Sequence, residues 1–227
     1  MTSNIDKTDT ELRSDVLAEL EYEPCVRVTD IVVQVKDGAV TLSGFTTGYG
    51  EKIDAVCAVK RVAGVTSVTD DIEVRLPVSL RRADGDIAAA AANQIDWSSK
   101  VPKGTVRAAV HAGRITLEGE VEWGFQKQDA EDAVQHLPGI EGVTNLISIK
   151  PKVLPAGIET AITLAVERNA QLDATKIVVE TSGNQVLLRG EVRNYAERRE
   201  AERAAWAAPG VLSVENELSV TWTWFAE

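Results

Sequence analysis

The chain has 227 residues, a net charge of −11, two histidines and two cysteines. Acids outnumber bases in each third of it, which excludes the basic footprint that a nucleic-acid binder uses to displace counterions and argues against purely electrostatic attachment to anionic lipid. Cys25 and Cys57 fit neither a metal spacing nor a disulfide framework, and two free thiols suit a reducing compartment.

Met1 to Thr10 is polar, with no positive n-region and no apolar h-region, and no apolar run approaches the roughly 20 residues of a membrane span. The expected compartment is the cytoplasm; it becomes the periplasm if a native signal has been removed. Leu12, Val16 and Leu20 then recur four apart, one face of an amphipathic helix over 9–22 with Asp9 as its N-cap. Ile31, Val33 and Val35 alternate as a strand, and Lys36-Asp37-Gly38 supplies the positive φ of a tight hairpin. The second strand, Val40–Phe45, holds Gly44 near its end. A glycine inside a strand marks a bulge or a close approach, expected here where a helix crosses over it. Ala55, Ala58, Val59 and Val62 form the small-residue face of a second helix lying close to the sheet. Gly64 ends that helix in the left-handed conformation, and Val65, Val68, Ile72 and Val74 make a third strand.

The same pattern follows twice more without a gap. In the second copy it reads Ile87, Ala91, Ile95 over 84–97 with Asp84 as N-cap, then Val106, Ala108, Val110, the turn Ala112-Gly113, Ile115–Val121 around Gly119, Ala130, Ala133, Val134, Leu137, and Gly139 before Ile140 and Val143. In the third it reads Ile158, Ile162, Val166 over 156–169, then Ile177, Val179, Thr181, the turn at Ser182-Gly183-Asn184, Val186–Val192 around Gly190, Ala201, Ala204, Ala205, Ala208, and Gly210 before Val211 and Val214. The two glycines of each copy stand twenty residues apart. The fold class is therefore α+β: three tandem αββαβ units at 8–76, 83–151 and 155–222, each a three-stranded mixed sheet with two helices on one face. The linkers Pro77–Ala83 and Lys150–Pro155 are short and hold proline, which predicts a compact or semi-rigid arrangement. The open face of each sheet is the expected place for a neighbouring repeat or a partner.

The element order, with [Val/Ile]-x-Leu-x-Gly, a helix, and Gly-[Val/Ile]-x-x-Val-x-[Asn/Asp]-x-[Ile/Leu]-x-[Val/Ile], resembles the BON domain, the family of bacterial osmotically inducible and nodulation proteins. The resemblance covers nearly the whole chain in three copies. It implies a non-catalytic module tied to envelope maintenance, osmotic or general stress and phospholipid binding, and in one architecture to potassium sensing. This chain departs from the common pattern in showing no signal peptide.

No catalytic, cofactor-binding or metal-ligating residues are predicted, and the chain does not read as an enzyme. His111 and His136 belong to one repeat only and read as surface or capping residues; Glu118, Glu120 and Glu122 read as one solvated strand face. Gly44, Gly64, Gly119, Gly139, Gly190 and Gly210 read as structural. The candidate contacts with ligand, membrane or partner are Tyr49, Trp123, Phe125 and Tyr195 at the junctions between second strand and second helix. To these are added Trp222 and Trp224 in the tail, and Ile53 and Val56, apolar where the other copies are polar. Three binding readings stand at this point: a phospholipid or membrane surface, a protein partner or homo-oligomer, and potassium or another cation.

Overall fold

The computed structural model describes residues 7–150 and 157–221. Trp222 and Trp224 lie outside them. The first repeat runs α1 (Asp9–Tyr22), β1 (Ile31–Lys36), β2 (Ala39–Thr46), α2 (Tyr49–Arg61) and β3 (Ser67–Val74). The second runs α3 (Asp84–Trp97), β4 (Val106–His111), β5 (Arg114–Val121) and α4 (Gly124–Val134), and its last strand comes in two pieces, β6 (Gly142–Asn145) and β7 (Ser148–Ile149). The third runs α5 (Ile158–Glu167), β8 (Ile177–Ser182), β9 (Gln185–Val192), α6 (Tyr195–Trp206) and β10 (Ser213–Val220). In every repeat the hairpin is antiparallel and the last strand adds parallel to the second, so each sheet is mixed. The parallel addition needs a crossover, which the second helix provides.

Each repeat has its own core on the helical face. In the first, Leu12, Val16 and Leu20 of α1 and Ala55, Ala58 and Val59 of α2 close over Ile31, Val33, Val40, Leu42 and Ile72. The alanines let the helix approach the sheet closely, as the small-residue face predicts. The matching clusters in repeats two and three centre on Ile115 and Leu117, and on Val186 and Leu188.

Two local expectations are corrected. Asp9 and Asp84 are not N-caps: Thr8 and Ala83 hold those positions, and Thr8 forms a capping box with Glu11. The aspartates instead accept from the hairpin turn of their own repeat. Asp9 takes the Asp37 amide (3.1 Å), and Asp84 takes the Ala112 and Gly113 amides (2.8 and 2.9 Å). These charge-assisted bonds tie helix to hairpin and hold the Asp84 carboxyl below its usual range. The second correction concerns Gly44, Gly119 and Gly190. The close contact is not with either α-helix of the repeat. A Cβ there would meet the carbonyl oxygen of Asp30, Thr105 or Lys176 at 2.2, 2.0 or 1.9 Å, and all three glycines have positive φ. The close neighbour is the backbone entering the first strand, so even alanine has no room. Gly64, Gly139 and Gly210 do take the left-handed conformation. Their helices end earlier, at Arg61, Val134 and Trp206, and the glycines turn the chain into the last strand.

A shared latch joins the last strand to the second helix. Asp70, Asn145 and Asn216 each accept the amide two residues ahead. Each also bonds the helix: Asp70 through Lys52 (3.1 Å), Asn145 through the Lys127 carbonyl and Glu131, Asn216 through the Arg198 carbonyl and Glu202. The neighbours of each repeat do not sit on its open sheet face, where Val32 and Val178 stay exposed. They meet through α2, α4 and α6.

Candidate functional site

The junction between second strand and second helix is built alike in each repeat. Glu51, Gln126 and Glu197, seven residues after the first glycine, reach back to the chain entering the helix: Glu51 accepts from Thr47, Gln126 from Glu122 and Trp123, Glu197 from Arg193. Only Gln126 makes the reach-back bond of a capping box, to the N-cap Trp123; Glu51 and Glu197 reach one residue further, to the residue before the N-cap, and all three tie the entering chain to the helix. A Glu or Gln at one register in three copies was the signal for it. The residue two positions earlier, Tyr49, Gly124 or Tyr195, opens the helix and meets the next repeat.

At the first seam Tyr49 packs against the core of repeat two. Its hydroxyl lies by the Val143 backbone, and burial pushes the phenol above its usual value, with the Glu131 and Asp70 carboxylates adding to the effect. Beside it His136 Nε2 lies 3.1 Å from Asp54 Oδ1, and a Cβ on Gly50 would come within 2.9 Å of the same imidazole. The N-terminal end of α2 thus rests on the C-terminal end of α4.

At the third seam the N-terminal end of α6 rests on the C-terminal end of α2. Tyr195 packs on the cores of repeats one and three, and its hydroxyl donates to the Thr66 carbonyl at 3.4 Å. Burial raises this phenol too, against the opposing Arg198 charge. Lys60 Nζ stands 5.7 Å and Arg198 Cζ 6.0 Å from the ring centroid, both cation–π contacts.

The second seam uses the same helix ends with different chemistry. Gly124 is buried, and a Cβ on it would lie 2.1 Å from Cε3 of Trp206, the last residue of α6. Here the receiving helix supplies the aromatic. Each seam joins different surfaces of its two repeats, and repeat three returns to repeat one, so the heterologous contacts close into a ring.

Of the other candidate contacts, Trp123 is the N-cap of α4 and stacks tilted on Phe125, centroids 6.3 Å apart; Phe125 is 43% exposed. Val56 packs on the core of its own repeat, and Ile53 is half-buried. The structure therefore brings Tyr49 and Tyr195 to seams and leaves Trp123 and Phe125 one residue to either side of the corresponding position. Sequence reasoning passed over Tyr22 and Trp97. They end α1 and α3, each 22 residues before the first glycine of its repeat, and are 83% and 88% exposed. Their signal was an aromatic out of register with the four-residue apolar spacing. Arg168 holds the same position in repeat three. Among the described residues no group of three or more His, Cys, Asp or Glu is gathered to hold a metal, and no helix is long and apolar enough to cross a membrane.

The BON domain model matches residues 8–75, 83–151 and 156–221. Osmotically-inducible protein Y of Escherichia coli (strain K12) is 30% identical over 146 residues, 63% of this chain and 73% of that protein. Among solved structures, CdsD, described as a structural protein of the Type III secretion system of Chlamydia trachomatis, aligns over 92% of both chains with 13% identity and a TM-score of 0.27. Its C-terminal domain aligns over 95% of this chain and 100% of its own, with 13% identity and a TM-score of 0.26.

Proposed function

The chain belongs to the BON domain family and carries three tandem copies of the domain, and from that premise we propose that it is a non-catalytic binding protein of an osmotic stress response that docks on phospholipid surfaces. Its similarity to a protein named as osmotically inducible supports the stress setting. One observation carries the docking: Tyr22 and Trp97, at the same position of two repeats, stand almost wholly in solvent. In a closed ring, corresponding positions lie at one level along the axis, so both rings belong to the same end of the molecule. Tyr and Trp are favoured at the headgroup level of a bilayer, and burying each ring contributes roughly 1.5–3 kcal/mol. Lys100 and Lys103 follow Trp97, and Arg168 takes the third position, all exposed. Lys100 pairs with Asp129 (2.9 Å), and Glu21, Asp96 and Glu167 are exposed beside the three positions, so the docking rests on the two rings rather than on charge.

Co-sedimentation with phosphatidylcholine and with phosphatidylglycerol vesicles tests this. The intact chain pellets with vesicles, Trp97→Ala lowers the bound fraction several-fold, and adding Tyr22→Ala abolishes it. An intact chain that stays in the supernatant with both lipids sinks the proposal.

A further inference from the structure

We infer that the seam between repeats three and one is a binding site for a phosphate-bearing ligand. An open groove of ≈ 620 Å³ runs along it, within the roughly 300–1,000 Å³ of small-molecule clefts. Lys60 and Arg61 line it from α2, Arg198 and Arg199 from α6, with Tyr195 between the two helices. Four cations in one cleft run against the charge of a chain that is −11 overall.

The other seams lack this set. Where the third seam has Lys60, Arg61, Arg198 and Arg199, the first has Gln135, His136, Lys52 and Ile53, and the second has Trp206, Ala207, Lys127 and Gln128. One cationic position persists in all three; the other three are particular to this groove. The structural work of a seam does not require them, since the other two seams close without them.

The local bonding separates wall from ligand contacts. Arg61 is held by Glu19 (2.9 Å) and Glu23 (2.7 Å), and Glu202 is engaged by Asn216 (3.0 Å), so both belong to the wall. Arg198 donates one Nη to the Asn216 carbonyl at 2.7 Å, yet its Nε is buried with no hydrogen-bond partner. A buried guanidinium N–H without an acceptor is costly, and because this one is closed off from the groove, Arg198 offers a ligand its charge rather than that N–H. Lys60 and Arg199 are exposed at the mouth. An ammonium and two guanidiniums around one phenol match the tetrahedral, multiply accepting oxygens of a phosphate. A free phosphate compound and a lipid headgroup present that same group.

Two arms distinguish the sources. The first titrates the full chain with inorganic phosphate at low ionic strength by calorimetry. The second measures co-sedimentation with phosphatidic acid against phosphatidylcholine vesicles. Arg199→Glu is the main variant, because its side chain is exposed; Lys60→Glu is the second. Each weakens phosphate binding at least about tenfold, the loss of one charge-assisted contact. Gln128→Glu, the matching position of repeat two, changes nothing, and Trp97→Ala leaves the phosphate arm intact. Loss in the phosphatidic acid arm alone assigns the group to a lipid headgroup. Absence of binding in both arms, or binding that Arg199→Glu leaves unchanged, overturns the inference.

Discussion

The second and third seams pose one packing problem and answer it differently. Both set the first turn of a second helix against the last turn of the next. At the second seam Gly124 clears the space and Trp206 fills it from the receiving side. At the third, Tyr195 reaches across from the donating side and Lys60 stands where the tryptophan would be. The tryptophan fills the space over Gly124; the tyrosine, flanked by cations, lines a groove. Each seam carries one large ring from a helix end, supplied by the donating helix at the first and third and by the receiving helix at the second.

The difference between the two seams is most easily abolished at Gly124. Gly124→Tyr puts two rings into one space and should cost about 1–3 kcal/mol in urea denaturation, the usual penalty of overpacking. Adding Trp206→Ala should recover at least half of it, since the two positions are in contact and therefore couple. An unrecovered double variant would show that the seam does not count rings. The next effect is alkaline. Burial raises both the Tyr49 and Tyr195 phenols in the folded chain above their usual value of 10.0. The folded state then holds those protons longer than the unfolded state, so stability is full below the unfolded value and falls as pH rises through the folded one. Tyr49→Phe with Tyr195→Phe should flatten that loss between about pH 9 and 12, measured as urea midpoints. Trp206→Phe at the second seam should leave the slope as it was. The smallest effect belongs to Asp54→Asn, which removes the partly exposed pair with His136 at the first seam. It should cost about 0.5 kcal/mol or less at neutral pH, read from the same midpoints.

The repeat, the element order and the core were legible because each is written in local periodicity. Leu12, Val16 and Leu20 report a helix face whatever lies beyond it, and Gly64 reports a positive φ within its own turn. The seams were not legible, because each depends on two positions far apart in the chain. Tyr49, Gly124 and Tyr195 compared alone make the second repeat look deficient. Its ring is Trp206, eleven residues beyond Tyr195 on the same helix of repeat three. Gly44 was read correctly as a close approach, but the neighbour proved to be the Asp30 carbonyl. A carbonyl belongs to every residue and leaves no mark in a sequence pattern. Asp9 failed for the opposite reason: its residue type suits an N-cap, and only the hairpin turn folded beside it offers better donors.

Ring closure has a consequence for evolution of the third seam. The first two join repeats that follow one another along the chain, over linkers of a few residues. Tethering of that kind gives partners an effective concentration in the millimolar range, so weak surfaces suffice. Once both are shut, repeats one and three stand side by side whatever residues face each other there. Their meeting surface is positioned without having to be adhesive. Selection can therefore place repelling charges in it, and a cluster such as Lys60, Arg198 and Arg199 can persist in a small acidic protein where a freely associating interface would come apart.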